Sequence, residues 1–228
     1  MKTFRKIIYC LLTLLILGSL CACNKYEPLI MKETTLTTYK GYVCGLSPFV
    51  DFEANGISNT TEFQVTSSDE AIVKFENNKL VFGNKIGEAT LEIIANNKKG
   101  ILTVNVVPYM EYLKSECGTD YVCTYEYYAA RWLLNNLNSF KNPNSVEVMK
   151  VAYPDSNYNP FDCDFFLLKI RAQNGFGGYG VEWYKVTSYN IQEADVYENV
   201  GVYYGDYQIY QFGGSGVQRA IKEYRESN

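Results

Sequence analysis

The spacing of apolar side chains divides the chain into three stretches with different periods. A predominantly apolar run occupies Ile7 to Leu17, alternating runs follow from Thr34 to Val107, and spacings of three and four residues begin after Pro108. A period of two is typical of strands, whereas a period near 3.6 is typical of helices. The pattern therefore predicts a leader, a β-rich domain and a domain that contains helices.

The β-rich stretch predicts several short strands. Apolar and polar residues alternate from Ala89 to Ala95 and again from Leu102 to Val106, and clusters of Asn, Gly, Asp and Ser separate the runs. Short strands closed by turns, with no helical pattern between them, indicate a sandwich of two sheets. The predicted strands are Thr34 to Tyr39, Thr61 to Ser67, Ile72 to Glu76, Lys79 to Phe82, Ala89 to Ala95 and Gly100 to Val107.

Two helices are predicted directly after Pro108. The first covers Tyr109 to Glu116, and the second begins near Thr119 or Thr124, either of which can cap it. An apolar stripe on the second helix consists of Tyr125, Tyr128, Ala129, Trp132, Leu133, Leu137 and Phe140. A stripe at helical period favours packing on a sheet, and a ligand platform made of its aromatic rings is the alternative. Asn142-Pro143 should stop this helix.

A sheet and a closing helix are predicted for the rest of the chain. The strands are Val146 to Tyr153, Cys163 to Gln173, Gly180 to Tyr189 and Val200 to Phe212, and the helix runs from Ser215 to Glu226. A break of the last strand at Gly205-Asp206 is the alternative to one continuous strand. Helices on an antiparallel sheet form an α+β layer.

The N-terminal run resembles the signal peptide of a bacterial lipoprotein. It follows a positively charged start and is shorter than the roughly 20 residues that a membrane-spanning helix needs. Leu20-Cys21-Ala22-Cys23 is similar to the lipobox, in which the last Cys is diacylated and the chain is cleaved before it. The alternative is an uncleaved anchor helix.

The lipobox resemblance implies a location. Residues 1–22 would be removed, Cys23 would carry the acyl chains, palmitate among them, and residues 23–33 would form a tether. Two acyl chains give stable membrane anchoring. The resemblance therefore implies the extracytoplasmic face of the bacterial cell membrane.

Four segments of the β-rich stretch resemble the bacterial immunoglobulin-like domain of the invasin and intimin group (group 2). They are Phe63 to Val73, Asn77 to Gly83, Ile86 to Ile93 and Leu102 to Val106. This chain has Phe63 or Val65 where the family often carries Trp. The resemblance covers residues 34–107 and implies a spacer or adhesion module, usually without catalytic residues.

Two segments of residues 108–228 resemble a small extracytoplasmic domain of Firmicute proteins. They are Leu137 to Val146 and Lys169 to Tyr179. This resemblance implies a fold unit and a cell-envelope setting, but no activity. The expected fold class is therefore multidomain, with an all-β immunoglobulin-like sandwich followed by an α+β domain whose helices pack on an antiparallel sheet.

The amino-acid composition excludes several classes of site and partner. The chain contains no histidine, which removes Ser-His-Asp and Cys-His catalytic systems and zinc sites that use His. Loss of residues 1–22 takes away three of the 21 basic residues and none of the 25 acidic ones, which leaves a net charge of −7. Nucleic acid is therefore not an expected partner. No cofactor is expected.

Three groups of residues resemble known types of functional site. Gly175 to Gly180 superficially resembles a phosphate loop, but it joins two predicted strands and reads better as a hairpin turn. The sequence resembles the start of a calcium-binding loop at Asp155, Asn157 and Asn159, but Pro160 occupies the position where such a loop needs Gly. Asp162, Asp164 and Glu182 are candidates for the acid and base of a carboxylate-dependent hydrolase.

The remaining candidate site residues are cysteines, for a disulfide, and tyrosines, for a binding surface. Cys117 and Cys123 bracket the turn between two helices, where they either form a disulfide or stay free. Tyr204 and Tyr210 belong to a dense tyrosine group on the last predicted strand, and alternation places both on its exposed face.

The function that these features favour is non-catalytic. We expect a lipid-anchored, monomeric surface protein in which the spacer presents a binding or scaffolding domain. Its partners would be the membrane, through Cys23, and an envelope protein or glycan, with Tyr204 and Tyr210 as the binding surface. The envelope hydrolase is the alternative.

Overall fold

The computed structural model describes residues 26–58, 60–154, 164–198, 201–205 and 207–227. The lipobox, Asp162, Cys163 and the calcium-like loop at 155–160 lie outside these ranges. The chain divides into two compact units, and the division falls between Val106 and Val107. Residues before this point are called unit 1 and those after it unit 2. More residues lie in strands than in helices.

Unit 1 is built on two sheets. Its elements are β1 (Glu27–Pro28), β2 (Thr35–Tyr39), β3 (Val43–Cys44), α1 (Phe52–Asn55), β4 (Gln64–Ser67), β5 (Val73–Glu76), β6 (Lys79–Phe82), β7 (Gly87–Ala95) and β8 (Lys98–Val107). The larger sheet has the order β1-β8-β7-β4, with β2 also paired to β8, and the smaller one the order β3-β6-β5.

Both sheets of unit 1 contribute to one hydrophobic core. Val73, Leu80 and Phe82 of the smaller sheet belong to it. From the larger sheet it includes Ala89, Leu91, Ile93, Ala95, Leu102, Val104 and Val106, each at most 2% exposed. The predicted alternation in β7 and β8 is therefore confirmed, because every second side chain is buried. Phe63 packs against this core beside Phe52, with 5.6 Å between ring centroids.

Two hairpins of unit 1 use the same turn chemistry. Asn77 and Asn78 connect β5 to β6, and Asn96 and Asn97 connect β7 to β8. All four residues have positive φ, between 48° and 59°. Two-residue turns of this kind match the right-handed twist of paired strands, and Asn tolerates the left-handed conformation. The turns fix the register of both hairpins.

The structure corrects the sequence prediction for unit 1 in two places. The tether predicted for residues 23–33 is wrong from Glu27 onward, because β1 pairs in parallel with Lys98 and Lys99 of β8 and Leu29 is 5% exposed. A helix also interrupts the predicted run of strands, since α1 begins at the cap Asp51 and ends before Gly56. A two-residue strand and a one-turn helix are too short to show a period.

Unit 2 combines three helices with one sheet among its described residues. Its elements are α2 (Tyr109–Glu116), α3 (Tyr121–Asn136), β9 (Glu147–Pro154), β10 (Phe166–Gln173), β11 (Tyr179–Val186), β12 (Ile191–Glu193), β13 (Val196–Tyr197), β14 (Tyr203–Tyr204), β15 (Tyr207–Gly213) and α4 (Ser215–Ser227). Short 3₁₀ turns at Leu137–Ser139 and Pro143–Ser145 connect α3 to β9. The strand order is β12-β11-β10-β9-β15-β14-β13.

The helices cover one face of this sheet. The rings of Tyr125 and Trp132 on α3 lie 6.0 Å and 5.1 Å from Phe166 of β10. Ala129 and Leu133, from the same stripe, are fully buried. The stripe of α3 therefore packs on the sheet, as its period predicts, instead of forming a ligand platform.

The opposite face of the sheet has a smaller core. Ala152, Leu167, Trp183 and Ile209 form it. The sheet curls so that Val196, Val202 and Tyr204, from the strands at its far edge, pack against these residues.

Three predictions for unit 2 need correction. Asp120, and neither Thr119 nor Thr124, caps α3 by accepting a 2.8 Å hydrogen bond from Cys123 N. The helix ends at Asn136, before the predicted stop at Asn142, and a 3₁₀ turn follows. The segment from Val200 to Phe212 is no continuous strand but reverses at Gly205, as the alternative of a break at Gly205-Asp206 predicts, because β14 and β15 pair antiparallel.

Candidate functional site

An open groove lies on the helix-facing side of the β10–β11 hairpin. Its floor is formed where Ala172 pairs with Gly180 across the two strands. A Cβ built on Gly180 would meet no atom within 4 Å, so this part of the floor is empty space. The groove has a volume of about 710 Å³. We call it the hairpin groove. Its lining includes Phe140, Lys141, Gln173, Phe176, Gly180, Glu182, Tyr184, Gln192 and Glu193.

Side chains after α3 form one wall of the hairpin groove. Phe140 packs edge-on against Tyr184 of β11, with 5.2 Å between ring centroids. Asn142 donates a 2.6 Å hydrogen bond from Nδ2 to Oε1 of Gln173, and Gln173 N donates to Ser145 Oγ at 2.8 Å. These bonds attach the wall to β10, so the groove is formed before any ligand binds.

The tip of the hairpin lies at the end of the groove. Asn174 Oδ1 accepts hydrogen bonds from Phe176 N at 3.0 Å and from Gly178 N at 2.9 Å. Gly177 has a φ of 87°, a conformation that favours glycine. The turn leaves the Phe176 ring 99% exposed. The prediction that Gly175 to Gly180 is a hairpin turn, and no phosphate loop, is confirmed by the pairing of β10 with β11.

The groove lining carries two carboxylates, Glu182 and Glu193, and one ammonium group, Lys141. Tyr184 pairs directly with Glu193 of β12, and Glu182 is two residues away on the same face of β11. Burial, followed by the charges of Glu193 and Glu182, raises the pKa of Tyr184. The phenol therefore stays protonated and can donate a hydrogen bond at neutral pH. The groove thus offers two anionic acceptors, the Lys141 ammonium group, one phenol donor and aromatic surface.

The structure does not bring the predicted acid and base together. Glu182 pairs with Ile170, which is six residues after the exposed Asp164 along the chain. At about 3.3 Å per residue, these two carboxylates lie roughly 20 Å apart. That separation exceeds the 10 Å or so that two carboxylates can span across a glycosidic bond. Extended strand geometry thus separates Asp164 from Glu182, and Asp162 lies outside the described residues, so the hydrolase alternative stays a prediction.

Tyr204 and Tyr210 lie on opposite faces of the sheet. Tyr210 is 41% exposed and stacks at 6.1 Å on Tyr153, which in turn stacks at 3.9 Å on Tyr125 of α3. Tyr204 is half-buried, and its ring lies 5.6 Å from Phe165 on the other face. A common binding surface made of Tyr204 and Tyr210 is therefore wrong, because the reversal at Gly205 breaks the alternation.

The two cysteines that the structure describes in unit 2 are thiols. Cys117 and Cys123 are both free and half-buried, so the candidate disulfide is not formed. Burial and the nearby Asp120 raise the pKa of Cys123 to about 12. Cys44 of unit 1 is also free, and burial raises its pKa to about 11.

The described residues offer neither a metal cluster nor a membrane-spanning helix. No cluster of three or more Cys, Asp or Glu side chains is arranged there to hold a metal ion. In the same ranges, no helix has the length and apolar character that crossing a membrane requires.

Sequence reasoning included Glu182 but missed Phe140, Ala172 and Glu193 as parts of one site. The available signal was Gly180, because a glycine inside a strand pattern marks a place where something can approach the backbone closely. The register that places Ala172 opposite Gly180 is a property of the paired strands, and no single segment contains it.

Comparisons with known proteins do not assign the chain to a family. No protein family matches the sequence, and no characterised protein matches it. The structure of domains 4 and 5 of the S-layer protein SbsC is similar over 36% of this chain and 51% of that one, with 22% identity and a TM-score of 0.27. Domains 5 and 6 of SbsC match over 82% of this chain and 84% of that one, with 15% identity and a TM-score of 0.26. The chain thus spans about half of the first structure, and TM-scores this low carry no argument about fold or function.

Proposed function

We propose that this protein is a lipid-anchored extracytoplasmic binding protein whose ligand occupies the hairpin groove of unit 2. In this proposal Cys23 carries the anchor, and unit 1 is an immunoglobulin-like spacer that holds an α+β binding domain away from the bilayer. The observation that carries the proposal is the preformed groove, whose floor at Ala172 and Gly180 lacks large side chains. Pockets of this size with a few convergent polar groups are typical ligand sites.

The spacer role of unit 1 is supported by how its side chains are used. Its apolar residues are buried between two sheets in one core. Its exposed strand faces carry ion pairs, including Lys99 with Glu92 at 2.5 Å and Lys74 with Glu76 at 2.5 Å. Such exposed pairs are solvated and contribute little to specific recognition.

Binding is favoured over hydrolysis by the positions of the candidate carboxylates. Among Asp164 and Glu182, the two candidates that the structure describes, Glu182 alone lines the hairpin groove. Asp164 lies about 20 Å from it along β10. An acid and a base that act on one bond need to lie on either side of that bond.

A groove-filling substitution tests the proposal. Gly180→Leu introduces a side chain into the empty floor, where no atom lies within 4 Å of the new Cβ. Gly213→Leu is the matched control, because Gly213 on β15 has equally open surroundings and does not line the groove. Full-length protein in detergent micelles is immobilised and exposed to separated protein, glycan and anionic-polymer fractions of bacterial envelopes.

We expect wild type and Gly213→Leu to retain the same component. Gly180→Leu should weaken its retention at least about tenfold, which corresponds to about 1.4 kcal/mol. Circular dichroism should show unchanged folding of all three proteins. Equal retention by Gly180→Leu would mean that the groove is not the binding site.

A further inference from the structure

Strand β12 covers only part of the outer edge of β11. It pairs with residues Tyr184, Lys185 and Val186, and Ala194 N donates one more bond to Trp183 O at 2.8 Å. The chain then leaves this edge, because β13 pairs with β14 at the other end of the sheet. Within the described part of unit 2, residues 179–182 of β11 therefore have a neighbouring strand on one side only.

The hydrogen-bonding groups of Tyr179 and Val181 point toward this open side. Asn174 N donates to Gly178 O at 2.7 Å across the hairpin, and Gly180 and Glu182 continue this pattern toward β10. In an antiparallel pair, alternate residues direct their N–H and C=O groups to opposite sides. The main-chain carbonyl of Trp183 points toward β12, where it accepts from Ala194 N. Val181 is two residues before Trp183, so its main-chain groups point to the same side of β11. Val181 thus presents a donor and an acceptor at the edge that no described residue pairs with.

This edge has few of the features that protect most exposed strands. Natural edge strands are blocked by Pro, charged side chains or bulges, which prevent pairing with another chain, and residues 179–182 include one charge, Glu182, but no Pro. Residues 179–182 read Tyr-Gly-Val-Glu, and the register with β10 is regular over this range. Tyr179 is 53% exposed and Val181 is 41% exposed. The edge therefore offers both main-chain bonds and apolar contact.

The charge beside the edge selects among peptide partners. Glu182 and Glu193 face the hairpin groove, and neither forms an ion pair with another described residue. Side chains of an added strand would alternate between the groove and the side of Tyr179 and Val181. Lys141, the cation of the groove lining, lies against Gly175 at the hairpin tip. A Lys or Arg of the added strand on the groove side would add a second positive charge to match the two carboxylates.

We propose that residues 179–182 of β11 accept an extended peptide segment as an added antiparallel strand, with a basic side chain in the hairpin groove. This inference rests on the proposed function and names the class of its ligand. In such strand addition, main-chain hydrogen bonds supply affinity and the pockets for alternate side chains supply specificity. The added strand continues the line of β12.

Selection of peptides tests the proposal. Random peptides displayed on phage are selected on full-length protein in detergent micelles, and the enriched sequence is synthesised with a fluorescent label. We expect alternating β-branched residues around one Lys or Arg. Val181→Pro removes the outward N–H and should weaken binding at least about tenfold. Val181→Thr keeps the N–H and strand propensity, so it should bind within about twofold of wild type.

Amide hydrogen exchange of the wild type gives a second measurement that needs no substitution. Val181 N–H should become protected when the peptide binds, whereas exposed amides of the turn at Phe176 should not. Proline is tolerated on an edge strand when its position faces solvent, so Val181→Pro should keep the fold.

Different results separate this inference from the proposed function. Unchanged binding by Val181→Pro, no protection of Val181, or enriched peptides without a basic residue would overturn strand addition. Retention of a glycan by the groove, with no peptide enriched, would also overturn it while leaving the proposed function intact. Peptide binding that survives Gly180→Leu would reject the groove itself.

Discussion

The hydroxyl of Tyr109 donates a 2.8 Å hydrogen bond to Oε2 of Glu126 in the buried interior of unit 2. The Glu126 side chain also lies directly against Gly216 at the start of α4, where a Cβ would overlap its carboxyl group. Glycine at position 216 thus allows α3 and α4 to pack closely around a carboxyl group that is almost completely removed from water.

The buried Glu126 predicts a specific pH dependence. Burial raises its pKa above the ordinary value, and this effect outweighs the hydrogen bond from Tyr109 and the charge of Arg219, which both lower it. A raised pKa means that the folded state binds the proton more tightly than the unfolded state. The stabilisation is therefore complete below the ordinary pKa of about 4.5 and is lost as the pH rises through the folded-state pKa.

Glu126→Gln should remove this loss of stability. The free energy of unfolding of the variant, relative to wild type, should increase between pH 4 and pH 7.5. Both tryptophans, Trp132 and Trp183, lie in unit 2, so their fluorescence during urea denaturation reports the unfolding of this unit. Glu226→Gln, at an exposed position of α4, is the control and should show no such trend. A stability difference that is independent of pH would contradict the assignment.

Asn55 fixes the N-terminal segment of unit 1. Its Oδ1 accepts a hydrogen bond from Ile30 N at 3.0 Å, and its Nδ2 donates to Ile30 O at 2.8 Å and to Asp51 O at 2.7 Å. Asn55→Ala should destabilise unit 1 by about 1–3 kcal/mol, because part-buried main-chain groups of Ile30 and Asp51 lose their partners. Amide exchange around Ile30 and limited proteolysis measure the effect.

Asn105→Ala is the matched control for Asn55, since Asn105 is exposed on β8. It should change stability by no more than about 0.5 kcal/mol. If both alanine variants behave alike, the contacts of Asn55 do not hold residues 29–31 in place.

The free thiols should react slowly. The thiolate is the nucleophile, and the pKa values of about 11 for Cys44 and about 12 for Cys123 leave little thiolate at pH 7.5. Alkylation by iodoacetamide should be at least about a hundredfold slower than for an ordinary cysteine with a pKa near 8.5. Mass spectrometry of digested protein identifies each labelled site. Unfolding in urea should restore fast labelling, and a peptide that links Cys117 to Cys123 would refute the free thiols.

Cys23 should carry the lipid. Cys23→Ser should abolish acyl labelling in a bacterial host and leave an unprocessed precursor, because the thiol is the acylated group. Cys21→Ser is the control, because it keeps Ala22 before Cys23 and should be processed normally. Labelling that persists in Cys23→Ser would disprove the lipobox assignment.

The regular elements of both units could be predicted because their apolar periods are long enough to detect. In β7 and β8 the burial of every second residue, such as Leu91 and Val104, follows from strand geometry. The predicted limits of α2, Tyr109 to Glu116, are confirmed. The sequence did not predict the shorter elements β1, α1, β12 and β13, since they span too few residues to show an apolar period.

The site depended on contacts that no local pattern contains. Sequence alternation placed Tyr204 and Tyr210 on one face, but the reversal at Gly205 put them on opposite faces. The groove exists because strand register sets Ala172 opposite Gly180 and because the wall after α3 is bonded to β10.

The amino-acid sequence by itself determined where strands and helices form, because the preference of each side chain for water or for the core repeats with the local backbone period. Tertiary structure alone decided which edge of β11 stays open and which carboxylates meet at Tyr184. These features depend on pairings between residues that are distant in the chain, and the free energy of such pairings is a property of the assembled sheet.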